Sequence, residues 1–506
     1  MSKEKISVQN RSNRQGLDSA QALLTDLYQI TMAYGYWKSG KALNQSVFTM
    51  SFRHNPFGGG FAIASGLSRV CEYLENLRFQ KDDIEYLREV PGPDGKPLFG
   101  SEFLDYLQDM RFDVDVDACP EGTVVFAHEP ILRVKGDIVK TQILETALLN
   151  MLGFSTLVST KAARLKLAAR QMPVYEFGLR RAQGPDGALS ASLASYIGGC
   201  DGTSNVLAGK LHGIPVIGTH AHSWVMSFSD ELEAFETYAQ VFPENCLLLV
   251  DTYDTINGVK LAIKVGQKLK EQGKKLMGVR LDSGDLAYLS VEARKLLNAA
   301  GMQDTKIVAS NDLDEGIIDS LIYQGAAIDG WAVGTKLVTC YDQPALGIVY
   351  KLSALSESSN KDGEENWRYC VKLSEQQAKI SNPGILQTRR FKSDGEFIAD
   401  MIYDCAPGEP ETRIIVDPVD FTRRKKISSN TQYIDLLLPI MRNGKLIEQN
   451  TNVSLLQTRN YVSDQLASLH PGIKRLLNPH QYPVGLEKSL HELKTEIILQ
   501  QRGLKS

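Results

Sequence analysis

Apolar and polar positions divide this chain into three stretches of different rhythm. Near the start, Leu24, Leu27, Tyr28, Thr31, Met32 and Gly35 recur at helical spacing near one face, with Asp18 or Ser19 available to cap the helix. From Gln45 to Asn55 the pattern becomes extended. Gly58, Gly59 and Gly60 then predict a flexible turn before a helical stretch around Gly66 to Leu77. Thr123 to Val134 reads as strands broken at Pro130, and Pro91, Gly92, Pro93, Asp94 and Gly95 as an exposed loop. One helix is predicted over Asp137–Leu152 and another over Ser159–Gln171, the second with Lys161, Arg164, Lys166 and Arg170 interleaved among apolar positions.

The middle of the chain alternates with some regularity. Short apolar runs at Val174–Phe177, Ile214–Gly218, Cys246–Val250, Leu276–Leu281, Ile307–Ala309 and Trp331–Val333 are separated by segments compatible with helices. Apolar runs of that length, spaced by amphipathic helices, indicate parallel strands in βα units. Six such units predict an α/β fold built on a closed or nearly closed β/α barrel, TIM-like but incomplete or irregular. No side-chain repeat with a solenoid period is visible. Beyond Tyr350 the alternation fades into strand-like pairs. The basic cluster Arg423–Lys426 reads as a solvated hairpin end, and Leu486, Leu490, Leu493 and Ile497 form a packing stripe on a last helix. The expected organisation is a mixed α/β domain over residues 1–150, completed by part of 351–440, a barrel over 151–350, and strands and helices over 351–506.

Composition narrows the possible partners. The chain has 506 residues with 56 Lys+Arg against 60 Asp+Glu, a formal charge of -4, which gives no global attraction to nucleic acid or anionic lipid. Its seven cysteines (71, 119, 200, 246, 340, 370 and 405) are scattered, with no Cys-x-x-Cys pair, as expected of reduced thiols in the cytoplasm. Met1–Ser19 is polar, and no later run approaches the ~18 apolar residues of a membrane span, so no membrane association is expected.

Candidate chemistry follows each predicted strand. Arg180 and Arg181 come after the first; Thr219, His220, His222 and Ser223 after the second; Asp251, Thr252 and Asp254 after the third. Arg280, Asp282, Ser283 and Asp285 follow the fourth, Ser310, Asn311 and Asp312 the fifth, and Gly334 and Thr335 the sixth. In a β/α barrel the carboxyl ends of the strands converge, so these groups should line one pocket. Each piece alone has a plainer reading: the Asp-Ser-Gly-Asp run as a helix cap, Val333–Thr335 as a turn, either histidine as a structural group. A two-histidine metal site at His220 and His222 stays open, while the spacing of a zinc site is absent. An imidazole poised near neutral pH can instead serve as nucleophile or base toward phosphoryl groups. The run Leu247–Gly258 also has something of the diphosphate-sugar loop of Rossmann-like phosphoribosyltransferases, but its Asp251 and Asp254 are three apart rather than adjacent.

Taken in chain order, LLTDLYQITMAYGY (from Leu23), EFGLRRAQGPDG (Glu176), GGCDGTSNVLAGK (Gly198), GTHAHSWV (Gly218), GVRLDSGDL (Gly278), ASNDLDE (Ala309) and GWAVGTKLVT (Gly330) resemble nicotinate phosphoribosyltransferase over nearly the full length. The resemblance implies a type II phosphoribosyltransferase barrel. It also implies condensation of nicotinate with 5-phosphoribosyl 1-diphosphate into nicotinate mononucleotide, coupled to ATP hydrolysis, in NAD salvage. It further implies a cytoplasmic homodimer with shared active sites, magnesium, and transient phosphorylation of His222. Tyr28 from a second subunit and Phe177 would sandwich the pyridine ring. Arg180 would approach the ring substituent or product phosphate, and Arg280 and Asp282 would hold the base and ribose hydroxyls, with Asp282 also a candidate for magnesium. Thr219, Ser310, Asn311, Gly334 and Thr335 would contact substrate.

Ser204 stands where the nicotinamide-using relatives place an aspartate, which favours the acid over the amide. Later in the chain, Lys372, Ser374, Lys379, Ser381, Pro383 and Gly384 resemble the family's donor-binding stretch. Ser381 replaces a threonine there, and the basic residue expected after Pro-Gly is displaced to Arg389 and Arg390. The alternatives are a nicotinamide phosphoribosyltransferase and a non-catalytic sensor of nicotinate or its nucleotide.

Overall fold

The computed structural model describes residues 21–170, 172–356, 366–376 and 379–505. Three large sheets organise them. An antiparallel seven-stranded sheet runs in the order 368–369, 348–356, 45–52, 132–137, 115–118, 438–442, 445–446, so strands from both ends of the chain share one layer. A parallel six-stranded sheet has the order 202–203, 174–176, 330–333, 306–309, 278–281, 247–249, with helices between successive strands. It is the curled, incomplete barrel expected of the alternating middle stretch. The third sheet, 424–426, 414–416, 484–487, 396–404, 386–393, 432–435, is C-terminal and mostly antiparallel.

Five of the six expected parallel strands form where the apolar runs lie. Ile214–Gly218 does not: it contributes a single bridge, Val216 to Thr203, flanked by Thr203 N–H to Pro215 O (3.0 Å) and Ile217 N–H to Thr203 O (2.9 Å). Pro215 has no N–H to continue a ladder, and Gly213 in the left-handed region (φ 70°) has just closed the helix Val206–His212. The sixth strand is instead Gly202–Thr203, too short to register as a pattern.

Two helix expectations are also corrected. The first helix is Leu27–Lys38 and follows Asp26, whose N–H is taken by Gln29 Oε1 at 2.9 Å; Asp18 and Ser19 lie outside the described residues. Its buried seam is Gln29, Ile30 and Ala33, because Gln29 collects Thr25 and Thr146 hydroxyls (3.1 Å each) and gives its carbonyl to Gln142 (2.6 Å). Leu27, Tyr28 and Met32 therefore face outward, 54 %, 49 % and 42 % exposed. The second correction is that helix breaks at Leu144, not between Leu152 and Ser159; Glu145–Ala168 is one 24-residue helix. Gly153, Ser155, Thr156 and Ser159 look like breakers but are buried contact points, with Ser159 Oγ bonding Ala194 O (2.8 Å) and Thr160 Oγ1 capturing Thr156 O (2.6 Å). Gly198 is needed opposite, since a Cβ there would lie 2.2 Å from Ser159 O.

At the C-terminus, Arg424–Lys426 is an exposed hairpin strand paired with Ile414–Val416, as expected. Leu486 lies within the strand Val484–Glu487 rather than on the last helix, Lys488–Gln501, and packs with Leu490 in one small core. Among the described residues, no helix is long and apolar enough to cross a membrane.

Candidate active site

The carboxyl ends of the parallel strands surround a cavity of about 390 Å³ lined by Phe177, Arg180, Ser204, Thr219, Arg280, Asp282, Ser310, Asn311, Gly334 and Thr335, among others. Eight residues singled out from separate strand ends, and Phe177 and Ser204 from the family resemblance, thus meet in one space. His222 sits at its rim, Nε2 3.7 Å from Asp282 Oδ2.

Backbone pairing sets this geometry. Phe177 N–H extends the ladder to Val333 O (2.8 Å), and Ser204 N–H reaches Glu176 O (2.9 Å), so aromatic wall and hydroxyl come from adjacent strands. Glu176 is fully buried beneath them; its carboxylate takes the Gly178 N–H, Ser192 Oγ (2.8 Å) and Thr203 Oγ1 (2.6 Å). Gly334 has room for no side chain without crowding Phe177 O, 3.1 Å from an added Cβ. Asn311 holds φ 113°, a left-handed backbone that a non-glycine residue rarely adopts, at the lip of the cavity.

Polar groups on the opposite side are tied together by Asp251. One of its oxygens accepts the Asp282 N–H (2.8 Å) and Ser283 Oγ (2.6 Å), while Oδ1 is buried with no hydrogen-bond partner. Ser310 Oγ bonds Asp282 Oδ1. Arg280 reaches Thr219 Oγ1 through Nη1 (2.7 Å) and His220 O through Nη2 (3.4 Å), and its Nε is buried without a partner. Burial lowers the pKa of this guanidinium, with Asp282 and Asp251 acting against it; arginine stays charged all the same. His222 Nδ1 faces Thr252 Oγ1 at 3.2 Å. Behind them Glu231, 6 % exposed, has its carboxyl pushed up to about 7 by burial, then by Asp254 and Asp251.

The two histidines diverge. His220 turns into the core, where burial pushes its imidazole down to about 4, and it packs edge-on against Tyr238. Among the described residues no group of three or more His, Cys, Asp or Glu is arranged to hold a metal ion by itself. The cap reading of the Asp-Ser-Gly-Asp run holds at Asp285, which accepts from Tyr288 N–H (3.1 Å), and Asp254 caps its own helix in the same way, accepting from Asn257 N–H (2.7 Å).

Two residues expected to contact substrate, Tyr28 from a second subunit and Ser381, do not line this cavity. Tyr28 stands on the outward face of the first helix, away from this cavity. Ser381 lines a smaller pocket with Arg53, His128, Lys351 and Lys379, and its Oγ accepts the Lys372 N–H (2.9 Å). Arg389 and Arg390 are not available to a donor: Arg389 is bound by Asp435 (2.8 Å) and Glu409 (2.7 Å), and Arg390, wholly buried, is gripped by Asp400. Sequence reasoning passed over Glu176 as a site residue, though it stands at the end of an apolar strand, and placed Asp251 at the pocket without giving it a role.

Fold and site together define a β/α half-barrel protein whose strand ends form a hydroxyl-rich, arginine-bearing cavity. Sequence comparison is more specific. Family descriptions match along the chain: the nicotinate phosphoribosyltransferase N-terminal domain over residues 23–153, the nicotinate phosphoribosyltransferase family over 172–376, and its C-terminal domain over 387–494. The nicotinate phosphoribosyltransferase of Bacillus subtilis (strain 168) is 41% identical over 497 residues, covering 95% of this chain and 97% of its own. That of Homo sapiens is 35% identical over 533 residues, with 94% and 96% covered. The crystal structure of human nicotinic acid phosphoribosyltransferase superimposes with a TM-score of 0.79 at 33% identity, covering 94% of this chain and 99% of that one. This chain belongs to the nicotinate phosphoribosyltransferase family.

Proposed function

We propose that this chain condenses nicotinate with 5-phosphoribosyl 1-diphosphate to form nicotinate mononucleotide and diphosphate, with coupled ATP hydrolysis, in the salvage branch of NAD biosynthesis. The observation that carries this reading is the meeting of Phe177, Arg180, Ser204, Arg280, Asp282, Asn311 and Thr335 in one cavity, with His222 3.7 Å from Asp282 at its rim. Phe177 offers the pyridine ring an aromatic face, a contact of about 0.5–1.5 kcal/mol beyond area burial. The ring nitrogen's lone pair forms the bond to C1 of the ribose as the C1–O bond breaks and its electron pair leaves with diphosphate. Arg180 and Arg181 suit an anionic substituent, and the neutral Ser204 avoids opposing a carboxylate, which favours nicotinate over its amide.

Arg280, fixed through Thr219, and the Asn311–Thr335 rim supply donors for the ribose and phosphates. A proton on His222 Nδ1, donated to Thr252 Oγ1, leaves the Nε2 lone pair on the Asp282 side to form a bond to the γ-phosphorus of ATP as its bond to ADP breaks; water later breaks the N–P bond and releases phosphate. A magnesium ion held here would supply positive charge toward the diphosphate, which suits one or two protein carboxylates at the site. Asp251, with its unpartnered Oδ1, and Asp282 would hold it.

Tyr28 is exposed beside Leu27 and Met32, and Arg53, Lys351 and Lys379 gather around Ser381 without an ion pair among the described residues. Both features support a homodimer in which Tyr28 and the Ser381 loop complete the cavity of a second copy. All seven cysteines are free, which suits the cytoplasm.

Purified protein supplied with nicotinate, 5-phosphoribosyl 1-diphosphate and magnesium should yield nicotinate mononucleotide, faster with ATP. His222→Ala should remove the ATP stimulation and keep a residual ATP-independent rate. No product with or without ATP overturns the assignment.

A further inference from the structure

The parallel ladder stops at Leu247–Leu249 on one edge, and on the other at Gly202–Thr203 with the Val216 bridge. Among the described residues no backbone bond joins the chain after Val216 to the strand Leu247–Leu249, yet the two edges are not apart. Val250 N–H turns inward along the sheet to Arg280 O (3.2 Å), whereas Leu249 N–H points across the seam and is accepted by His220 Nε2 at 3.2 Å. His220 also borders the cavity and gives its carbonyl to Thr219 Oγ1 (3.1 Å) and Arg280, while its ring is disposed for that bond. Its ring is held by Tyr238, 4.9 Å away and edge-on, and by Phe235 at 6.1 Å; Nδ1 lies 3.4 Å from Ala221 O. Burial keeps the imidazole neutral at pH 7, so one nitrogen carries a lone pair.

The two segments so joined carry the reacting groups. His220 is two residues before His222, and its carbonyl receives Arg280 Nη2 (3.4 Å). Leu249 is two residues before Asp251, which fixes the Asp282 N–H, and three before Thr252, which meets His222 Nδ1. We propose that His220 is a positioning residue: its Nε2 takes the place of the backbone rung missing from the curled sheet, and so sets the distance between the His222 loop and the Asp251–Thr252 turn. The rung itself stands on geometry; its consequence for catalysis rests on the role proposed above for His222.

His220→Phe keeps the ring and removes the acceptor, while His220→Gln restores an acceptor on a flexible stem. Amide hydrogen exchange should show Leu249 losing protection by about tenfold in the phenylalanine variant, with the central strand Gly330–Val333 unchanged. In the same variant kcat should fall by about tenfold while the nicotinate KM stays within about twofold, because Phe177 and Ser204 are held by their own backbone bonds to Val333 O and Glu176 O rather than by the His220 rung. The glutamine variant should recover protection and most of the rate. Unchanged Leu249 exchange in His220→Phe, or a glutamine variant no better than the phenylalanine one, overturns the proposal. If neither variant folds, ¹⁵N-histidine spectra of the unaltered protein decide: a proton on Nδ1 with coupling from Nε2 to the Leu249 amide is expected, and a proton on Nε2 overturns it. Failure of the unaltered protein to make nicotinate mononucleotide would count against the proposed activity and leave the exchange result standing.

Discussion

Arg389 and Arg390 in the C-terminal sheet and Arg280 at the cavity are all largely removed from water, but their surroundings treat them in opposite ways. Arg390 is bound by Asp400 through Nε at 3.0 Å to both oxygens, with Tyr482 completing the carboxylate at 2.8 Å and Phe397 4.6 Å from the guanidinium. Arg389 has Asp435, Glu409 and Tyr433. Among the described residues Arg280 has no carboxylate in direct contact; it is held by a hydroxyl and a carbonyl and keeps a buried Nε without a partner. A buried cation whose charge is already answered is part of the framework, and one oriented by neutral groups is reserved for an anion that arrives later. The same contrast separates the paired Lys161, between Glu315 and Asp342, from Lys379 and Arg53 around Ser381.

Four measurements sharpen or break that contrast. Arg390→Met leaves Asp400 and Glu129 buried without their cation and should lower unfolding free energy by about 3–5 kcal/mol in a urea titration, with the nicotinate KM of the folded fraction unchanged. A loss of substrate affinity at full stability would put Arg390 in the wrong class. Arg280→Met should do the reverse: kcat/KM down by about 10²–10³ and the urea midpoint nearly unmoved. Ser204→Asp places a negative charge against the expected carboxylate and should shift the acid-to-amide preference about tenfold toward nicotinamide, read from competing turnover. Unaltered preference would detach Ser204 from the base.

The smallest effect is pH-dependent. Glu231 has a folded-state pKa raised to about 7, so the folded protein keeps a proton that the unfolded chain gives up near its ordinary carboxylate value. Its contribution is therefore fully present below that ordinary value and is lost as pH rises through 7. Glu231→Gln should stabilise the protein at pH 8 relative to pH 5, by on the order of 1 kcal/mol in matched thermal melts. An equal effect at both pH values would mean that Glu231 ionises normally.

The parallel strands were legible because a strand buried on both faces needs an unbroken apolar run, and polar residues placed just after such runs have only one place to go. That logic located eight of the ten cavity residues, from Arg180 to Thr335, while Phe177 and Ser204 came from the family resemblance. It failed where a side chain's partner is remote in sequence: Asp435 and Asp400 claim Arg389 and Arg390 across the sheet, and His220 finds Leu249 on a strand it does not belong to. Periodicity also misjudged the first helix, since Leu27, Tyr28 and Met32 form a good apolar stripe but Gln29, through its hydrogen bonds, takes the inward place. Gly153 and the hydroxyls after it resembled a break because small residues serve equally as loop formers and as close-packing surfaces.

The helix Glu145–Ala168 is a rod roughly 36 Å long. It touches the antiparallel layer at Ile348–Ser356, the helix Leu67–Asn76, and the helices Gly184–Ile197 and Glu315–Tyr323 that begin at the cavity. A shaft riveted to both bodies along its length leaves no axle about which they can swing apart. Admission of a bulky sugar diphosphate then falls to short excursions of the segments 178–183, 218–222 and 310–312. The motion to look for in relaxation experiments is the nanosecond-to-microsecond flicker of loops rather than slow domain closure.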